Sequence, residues 1–148
     1  MKRSMVVDAS VAIKWFLSEI YSDEARLILN LKWELYAPDF IWVEFGSVLQ
    51  KKIRLKELTI HEADAILKDF MKFQIQTYGS KLFLNSAWQL VKDSGATIYD
   101  SLYLALANSR ECSLVTADKK FYQLINNSEK TANSRIVWVE DIKHLYKK

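Results

Sequence analysis

Cysteine, histidine, proline and glycine are all scarce in this chain, which has one Cys, two His, one Pro and three Gly in 148 residues. A single cysteine excludes an intrachain disulfide. Because Cys112 opens the apolar run Ser-Leu-Val that ends at residue 115, we interpret it as a small buried hydrophobic residue rather than a nucleophile. His61 and His144 lack the spacing of metal ligands, which argues against a zinc site and predicts two solvent-facing side chains.

Long apolar runs are also missing. The apolar stretch after Lys2 and Arg3 is interrupted by Asp8 and Lys14, so it fits neither a signal peptide nor a membrane span, and we expect a cytoplasmic protein. The excess of positive charge is small: 21 Lys and Arg against 18 Asp and Glu give a net charge of +3. That charge is compatible with a polyanionic partner but does not indicate one by itself.

Hydrophobic patterns predict strands that alternate with helices through one domain, residues 1–148. Short strands are expected at residues 5–7, 34–37, 73–78, 113–117 and 135–139. Ser10, Ser22 and Asp39 are expected to cap helices, and residues 126–134 to form a surface loop. This order predicts an α/β fold, a three-layer α/β/α sandwich with a mostly parallel central sheet, whose strands all end at one edge. Ligands of such sheets bind at that edge.

Four acids stand in unusual places along this pattern. Asp8 ends a buried strand, where a carboxylate is costly unless it is paired or coordinated. Asp118 follows the strand at 113–117 in the same way, although its position also suits a helix N-cap. Glu44 lies at or beside the apolar face of its helix, and the alternative is a rim glutamate that reaches water. Asp100 follows Thr97 at capping-box spacing, so a structural role is an equal alternative.

Carboxylates gathered at one edge repel one another, which raises their pKa values and destabilises the site unless a cation compensates. Mg²⁺ or Mn²⁺ is the natural cation, because these ions prefer oxygen ligands and Mg²⁺ is typically held by one or two carboxylates, several waters and substrate phosphates. The sequence therefore predicts a divalent metal site at this edge.

The four acids lie in blocks that resemble those of the PIN domain family, and within it the VapC-type toxins of toxin–antitoxin pairs. The blocks span nearly the whole chain, at residues 7–16 around Asp8, 37–49 around Glu44, 99–107 around Asp100 and 114–118 around Asp118. Single blocks of this kind are weakly specific, but four in order are strong. Three positions depart from the pattern: Phe45-Gly46 replaces a smaller Val-Ala-like pair, and Ser101 replaces a common alanine.

The resemblance implies a Mg²⁺- or Mn²⁺-dependent ribonuclease that leaves a 5′-phosphate and a 3′-hydroxyl, usually a homodimer, with a small antitoxin partner that inserts a segment near the active site. Asp8 and Asp100 are expected to hold the metal directly, and Asp118 and Glu44 to complete its shell through water or a second ion. Six basic residues are candidates for binding RNA: Lys14, Lys51, Lys52, Arg54, Lys119 and Lys120. Tyr99 could stack on a base, although a core position is the favoured interpretation.

Three other functions can be compared with the sequence. A catalytically silent PIN-like module would bind RNA or a protein without cutting, although the four intact acids argue against it. A phosphohydrolase with Asp8 as its nucleophile needs a second Asp two residues on, where Ser10 stands instead. A receiver-type phosphoacceptor needs an acidic pair at the first strand, which is missing.

Overall fold

The computed structural model describes residues 2–146, in which five strands alternate with eight α-helices. The strands are β1 (Ser4–Val7), β2 (Glu34–Pro38), β3 (Ile75–Tyr78), β4 (Ser113–Thr116) and β5 (Ile136–Trp138). The helices are α1 (Ala9–Ala12), α2 (Ser22–Leu31), α3 (Ile41–Arg54), α4 (Ile60–Phe70), α5 (Leu84–Ser94), α6 (Ile98–Ser109), α7 (Lys119–Asn127) and α8 (Ile142–Tyr146). Short 3₁₀ turns follow α1, precede α5 and follow β5.

The five strands form one sheet in the order β3-β2-β1-β4-β5, and every neighbouring pair is parallel. The central strand β1 pairs Met5 with both Leu35 of β2 and Ser113 of β4. Successive residues of a strand point to opposite faces of the sheet, yet Met5, Val6 and Val7 are all fully buried. Helices therefore cover both faces, which confirms the predicted α/β sandwich with a parallel sheet.

Three of the expected helix caps are wrong, because the polar groups concerned are used elsewhere. Asp8, not Ser10, caps α1 by accepting from the backbone N–H of Val11. The Ser22 hydroxyl closes the preceding loop, where it accepts from the Glu19 N–H and donates to the Leu17 carbonyl. The backbone N–H of Asp39 donates to the Tyr78 carbonyl, which extends the β2–β3 pairing, and α3 begins only after Phe40.

Two other helix ends are capped, and the interpretations of Cys112, His61 and His144 are confirmed. Thr59 and Glu62 form a reciprocal capping box at the start of α4. Gly95 ends α5 with a φ of 79°, in the left-handed region that favours glycine. Cys112 is buried, and His61 and His144 are exposed. Among the residues that the structure describes, no helix has the length and apolarity needed to cross a membrane.

An aromatic cluster fixes helix α3 against α4. Phe45 is fully buried and stacks on Phe70 at 3.8 Å between ring centroids, and Phe16 meets both rings edge-on. The rings bury large apolar areas and prefer defined relative orientations, so they restrict how α3 can rotate. Because Phe45 directly follows Glu44, this packing also sets the direction in which that carboxylate leaves the helix.

Candidate active site

Asp8 is delivered to the C-terminal edge of the sheet by the fully buried strand β1, and its side chain is only 4% exposed. Its carboxylate accepts hydrogen bonds from the hydroxyls of Ser10 (2.5 Å) and Thr116 (2.6 Å) and from the Val11 N–H (3.2 Å). Burial raises the pKa of Asp8 from its ordinary value of 3.8 to about 6. The hydrogen bonds make this rise smaller, and the charge of Asp118 makes it larger.

Two hydroxyl groups connect the ends of β1 and β4. The Ser10 hydroxyl donates to Asp8 and accepts from the Ala117 N–H at 3.0 Å. The Thr116 hydroxyl donates to Asp8 and accepts from the Asp118 N–H at 3.1 Å. The sequence contains a signal for both residues, because each has a hydroxyl two positions from an acid at a strand end. The sequence prediction makes Ser10 a helix cap and Thr116 only a strand residue.

Asp118 has the N-cap role that its position allows. One of its carboxylate oxygens accepts from the Phe121 N–H at 3.1 Å and so begins α7. Its charge also raises the pKa values of Asp8 and Asp100. The cap and the acidic site therefore share one carboxylate.

Glu44 projects from the first turn of α3 toward the same edge. The hydroxyl of Tyr103, a fully buried residue of α6, donates to its Oε1 over a long 3.5 Å. Burial and then the charges of Asp8 and Asp100 raise the pKa of Glu44 from 4.5 to about 7. Burial and the nearby Glu44 also raise the pKa of the Tyr103 phenol, which stays protonated and able to donate. Tyr103 was not singled out from the sequence.

Asp100 lies half-buried in the first turn of α6. The Thr97 hydroxyl caps that helix by accepting from the Asp100 N–H at 3.1 Å, which is the hydroxyl half of the predicted capping box. Burial, followed by the charges of Asp8 and Asp118, raises the pKa of the Asp100 carboxyl to about 6. The structure thus brings the four predicted acids together, and the charges of Asp8, Asp100 and Asp118 help to raise the pKa values of acids beside them.

The acids fit a hydrated divalent cation. Within residues 2–146, no three His, Cys, Asp or Glu side chains are arranged so that together they could hold one ion. Mg²⁺, however, commonly keeps several waters and takes only one or two carboxylates from the protein. The acids offer oxygen donors alone. A bound cation would offset the burial and the mutual repulsion that raise the pKa values of Asp8, Glu44 and Asp100.

A groove of about 420 Å³ adjoins the acids, because Ser10 and Ala117 are among its lining residues. It brings together three of the six predicted RNA-binding residues, Lys14, Lys51 and Lys52. The other three, Arg54, Lys119 and Lys120, are exposed and do not line it.

Glu19 holds two of the lysines in this groove. Its carboxylate pairs with Lys14 and Lys52, each at 3.1 Å, and Lys52 also pairs with Glu57 at 3.1 Å. Lys14 donates further to the Ile20 carbonyl at 2.8 Å. The Lys14 and Lys52 side chains are only 12% and 20% exposed, so much of their charge is compensated within the protein.

Tyr99 corrects an expectation, because its ring does not lie in the core. It is 60% exposed and meets Phe40 edge-on at 5.5 Å between centroids. Phe40 in turn packs against Tyr103 at 5.4 Å. An exposed ring next to Asp100 is available to stack on an unpaired base.

Comparison with known proteins gives consistent matches. The family model described as PIN domain matches residues 5–126. Ribonuclease VapC3 from Pyrobaculum aerophilum is 29% identical over 118 residues, which cover 78% of this chain and 90% of that protein.

Solved structures share the fold. The crystal structure of PAE2754 from Pyrobaculum aerophilum superposes with a TM-score of 0.68 at 22% identity, over 100% of both chains. A chain of a toxin–antitoxin complex from Klebsiella pneumoniae gives a TM-score of 0.58 at 14% identity, over 90% of this chain and 95% of that one.

Proposed function

Since the chain belongs to the PIN domain family, we propose that it is an endoribonuclease that hydrolyses RNA phosphodiester bonds with Mg²⁺ or Mn²⁺ at its four acids. The observation that carries this proposal is the meeting of Asp8, Glu44, Asp100 and Asp118 at one sheet edge, where Asp8, Glu44 and Asp100 have raised pKa values. A relative named as a ribonuclease, similar over most of both chains, supports RNA as the substrate.

Asp8 and Asp100 are the residues that would hold the ion directly, and Asp118 and Glu44 would bind its waters. When bound, the ion supplies Lewis acidity that strengthens water as a nucleophile and neutralises charge on the phosphoryl oxygens. Ser10 and Thr116 keep the Asp8 carboxylate in one orientation, since each of its oxygens accepts from a hydroxyl. Tyr103 restrains Glu44 in the same manner.

The RNA strand is proposed to follow the groove beside the acids. Lys14, Lys51 and Lys52 would contact its phosphates, and Tyr99 would stack on a base next to the scissile bond. Arg54, Lys119 and Lys120 remain candidates for weaker, solvent-exposed phosphate contacts. Cleavage would leave a 5′-phosphate and a 3′-hydroxyl.

A small antitoxin is the proposed protein partner, and we propose a homodimer in the cytoplasm. Similarity in fold to a chain from a toxin–antitoxin complex supports the antitoxin.

The test is cleavage of a labelled RNA pool by purified protein with Mg²⁺, Mn²⁺ or EDTA. Asp8→Asn and Asp100→Asn should abolish cutting, whereas Asp64→Asn, an exposed acid of α4, should not. Cutting that persists in EDTA, or in both site variants, would refute the proposal. RNA retained without cutting under any metal would favour the silent binding module instead.

A further inference from the structure

A second cleft lies at the opposite edge of the sheet from the acids. It has a volume of about 560 Å³ and is bounded by Ser4 and Ser113, the first residues of β1 and β4. A smaller cavity of about 280 Å³ lies at the starts of β2 and β3 and shares Lys2 and Trp33 with it. We call the two together the N-edge trough, and the residues that matter below are Lys2, Arg3, Trp33, Gln76, Arg110 and Arg135.

Positive charge is concentrated in the trough. Among the described residues, four cationic side chains line the larger cavity, and Glu111 is its one acidic lining residue. Glu34 lines the smaller cavity, where its carboxylate accepts from the Tyr36 hydroxyl at 2.7 Å. Within residues 2–145, no carboxylate lies within ion-pair distance of Lys2, Arg110 or Arg135. This contrasts with the groove beside the acids, where Glu19 pairs with two of the three lysines.

Arg110 and Arg135 are held in place by contacts that leave the charge of their guanidinium groups uncompensated. Arg110 lies over the rings of Tyr36 and Tyr78, at 5.3 and 4.4 Å from the centroids, and donates to the Tyr78 hydroxyl. Arg135 donates to the Glu111 backbone carbonyl at 3.0 Å. Side chains ordered in this way lose less conformational entropy when they bind a phosphate.

Aromatic and amide groups alternate with these cations. The Arg3 guanidinium lies over the half-buried Trp33 ring at 5.5 Å, and the exposed Gln76 lines the smaller cavity together with that ring. Single-stranded nucleic acid is bound by cations that contact its phosphate backbone together with aromatic rings on which its bases stack. An acidic peptide would need the cations alone.

We propose that the N-edge trough is a second RNA-binding site, which holds single-stranded substrate away from the scissile phosphate. Lys2, Arg110 and Arg135 contact phosphates, and Trp33 stacks on a base. This inference rests on the proposed ribonuclease function for the identity of the ligand. It predicts that long RNA binds more tightly than RNA too short to reach both edges of the sheet.

The test measures binding in EDTA, so that no cutting is needed, by fluorescence anisotropy of unstructured RNA about 30 or about 6 nucleotides long, across a salt series. The variant Lys2→Gln/Arg135→Gln removes two trough charges. The matched control Lys68→Gln/Lys92→Gln removes two exposed charges from α4 and α5. We expect the trough variant to bind the long RNA roughly tenfold more weakly, with a salt slope lower by about 1.4 for two lost phosphate contacts.

Further arms separate the alternatives. Trp33→Leu should weaken binding of the long RNA without changing the salt slope, because stacking releases no counterions. The inference would be overturned if the trough and control variants lost equal affinity for the long RNA, or if the unmodified protein did not bind RNA. A trough variant that loses affinity for polyglutamate but not for RNA would also overturn it, because that result would indicate an acidic protein partner. If the protein cuts RNA with metal while trough and control variants bind equally, the trough fails and the nuclease proposal stands.

Discussion

The hydroxyl of Thr116 donates to Oδ2 of Asp8 over 2.6 Å and joins side chains that lie 108 positions apart in the chain. The same hydroxyl accepts from the Asp118 N–H, so one buried group orients two of the four acids. A hydrogen bond to a charged, buried carboxylate is worth more than one between neutral groups. Thr116 is therefore a positioning residue of the proposed site.

Thr116→Val should remove this bond while keeping the side-chain volume. We expect a loss of about 2 kcal/mol in the free energy of unfolding, together with a strong loss of RNA cleavage, because a buried carboxylate oxygen and a backbone N–H both lose their partner. Urea unfolding and cleavage rates are the measurements. Thr116→Ser retains the hydroxyl and should keep most of the activity; equal losses in both variants would mean that packing of the methyl group matters instead.

The metal-free protein should lose stability as the pH rises from about 4 to 7. Asp8, Glu44 and Asp100 have folded pKa values of about 6, 7 and 6, above their ordinary values. The folded state therefore binds more protons than the unfolded state, and stability falls with pH through this window. Urea unfolding in EDTA at each pH measures the effect.

Variants and metal complete this experiment. Glu44→Gln should flatten the pH dependence and raise stability at pH 8, because it removes one of the repelling charges. Adding Mg²⁺ should restore stability at high pH in the unmodified protein. A stability that is constant or rises over the window in EDTA would contradict the pKa shifts.

Glu19→Gln should tighten RNA binding. It removes the carboxylate that pairs with both Lys14 and Lys52, so their charge becomes available to phosphates. We expect an affinity several-fold higher at low salt and a steeper salt dependence, measured by anisotropy. Glu57→Gln releases one contact of Lys52 alone and should give a smaller gain. Weaker binding in Glu19→Gln would show that Glu19 positions the lysines for RNA.

Ser101→Ala should stabilise the protein by about 1 kcal/mol, because the fully buried Ser101 hydroxyl has no hydrogen-bond partner in the described part of the chain. The substitution also places a better helix former in α6. Urea unfolding checks the prediction. A loss of stability would indicate that the hydroxyl is satisfied by a bound water.

Gly46→Ala should raise the free energy of unfolding by up to about 1 kcal/mol, since Gly46 lies inside α3 and an added Cβ would meet nothing within 4 Å. Gly95→Ala is a control for which a change of stability of the opposite sign is expected. Gly95 also has open space around it, but its φ is 79°, so alanine should be destabilising there. The same sign for both variants would contradict the backbone argument.

The sheet and the four acids could be predicted from the sequence because both depend on local pattern. A short apolar run that ends in Asp8 or Asp118 places its carboxylate at a known edge once the strands are parallel. Contacts across the sheet depend instead on register between distant strands, so the bonds from Thr116 to Asp8 and from the Ala117 N–H to Ser10 were missed. Tyr99 was misplaced for a similar reason: its exposure depends on how Phe40, far away in sequence, packs beside α6.

The pairing of β1 with β4 also determines when the site can assemble during synthesis of the chain. Synthesis reaches β1 well before its neighbour β4, which begins at Ser113, and Thr116 and Asp118 come later still. An incomplete chain can therefore present Asp8 without the groups that orient it. A chain still in synthesis therefore holds no assembled site of this kind until β4 has emerged and paired with β1.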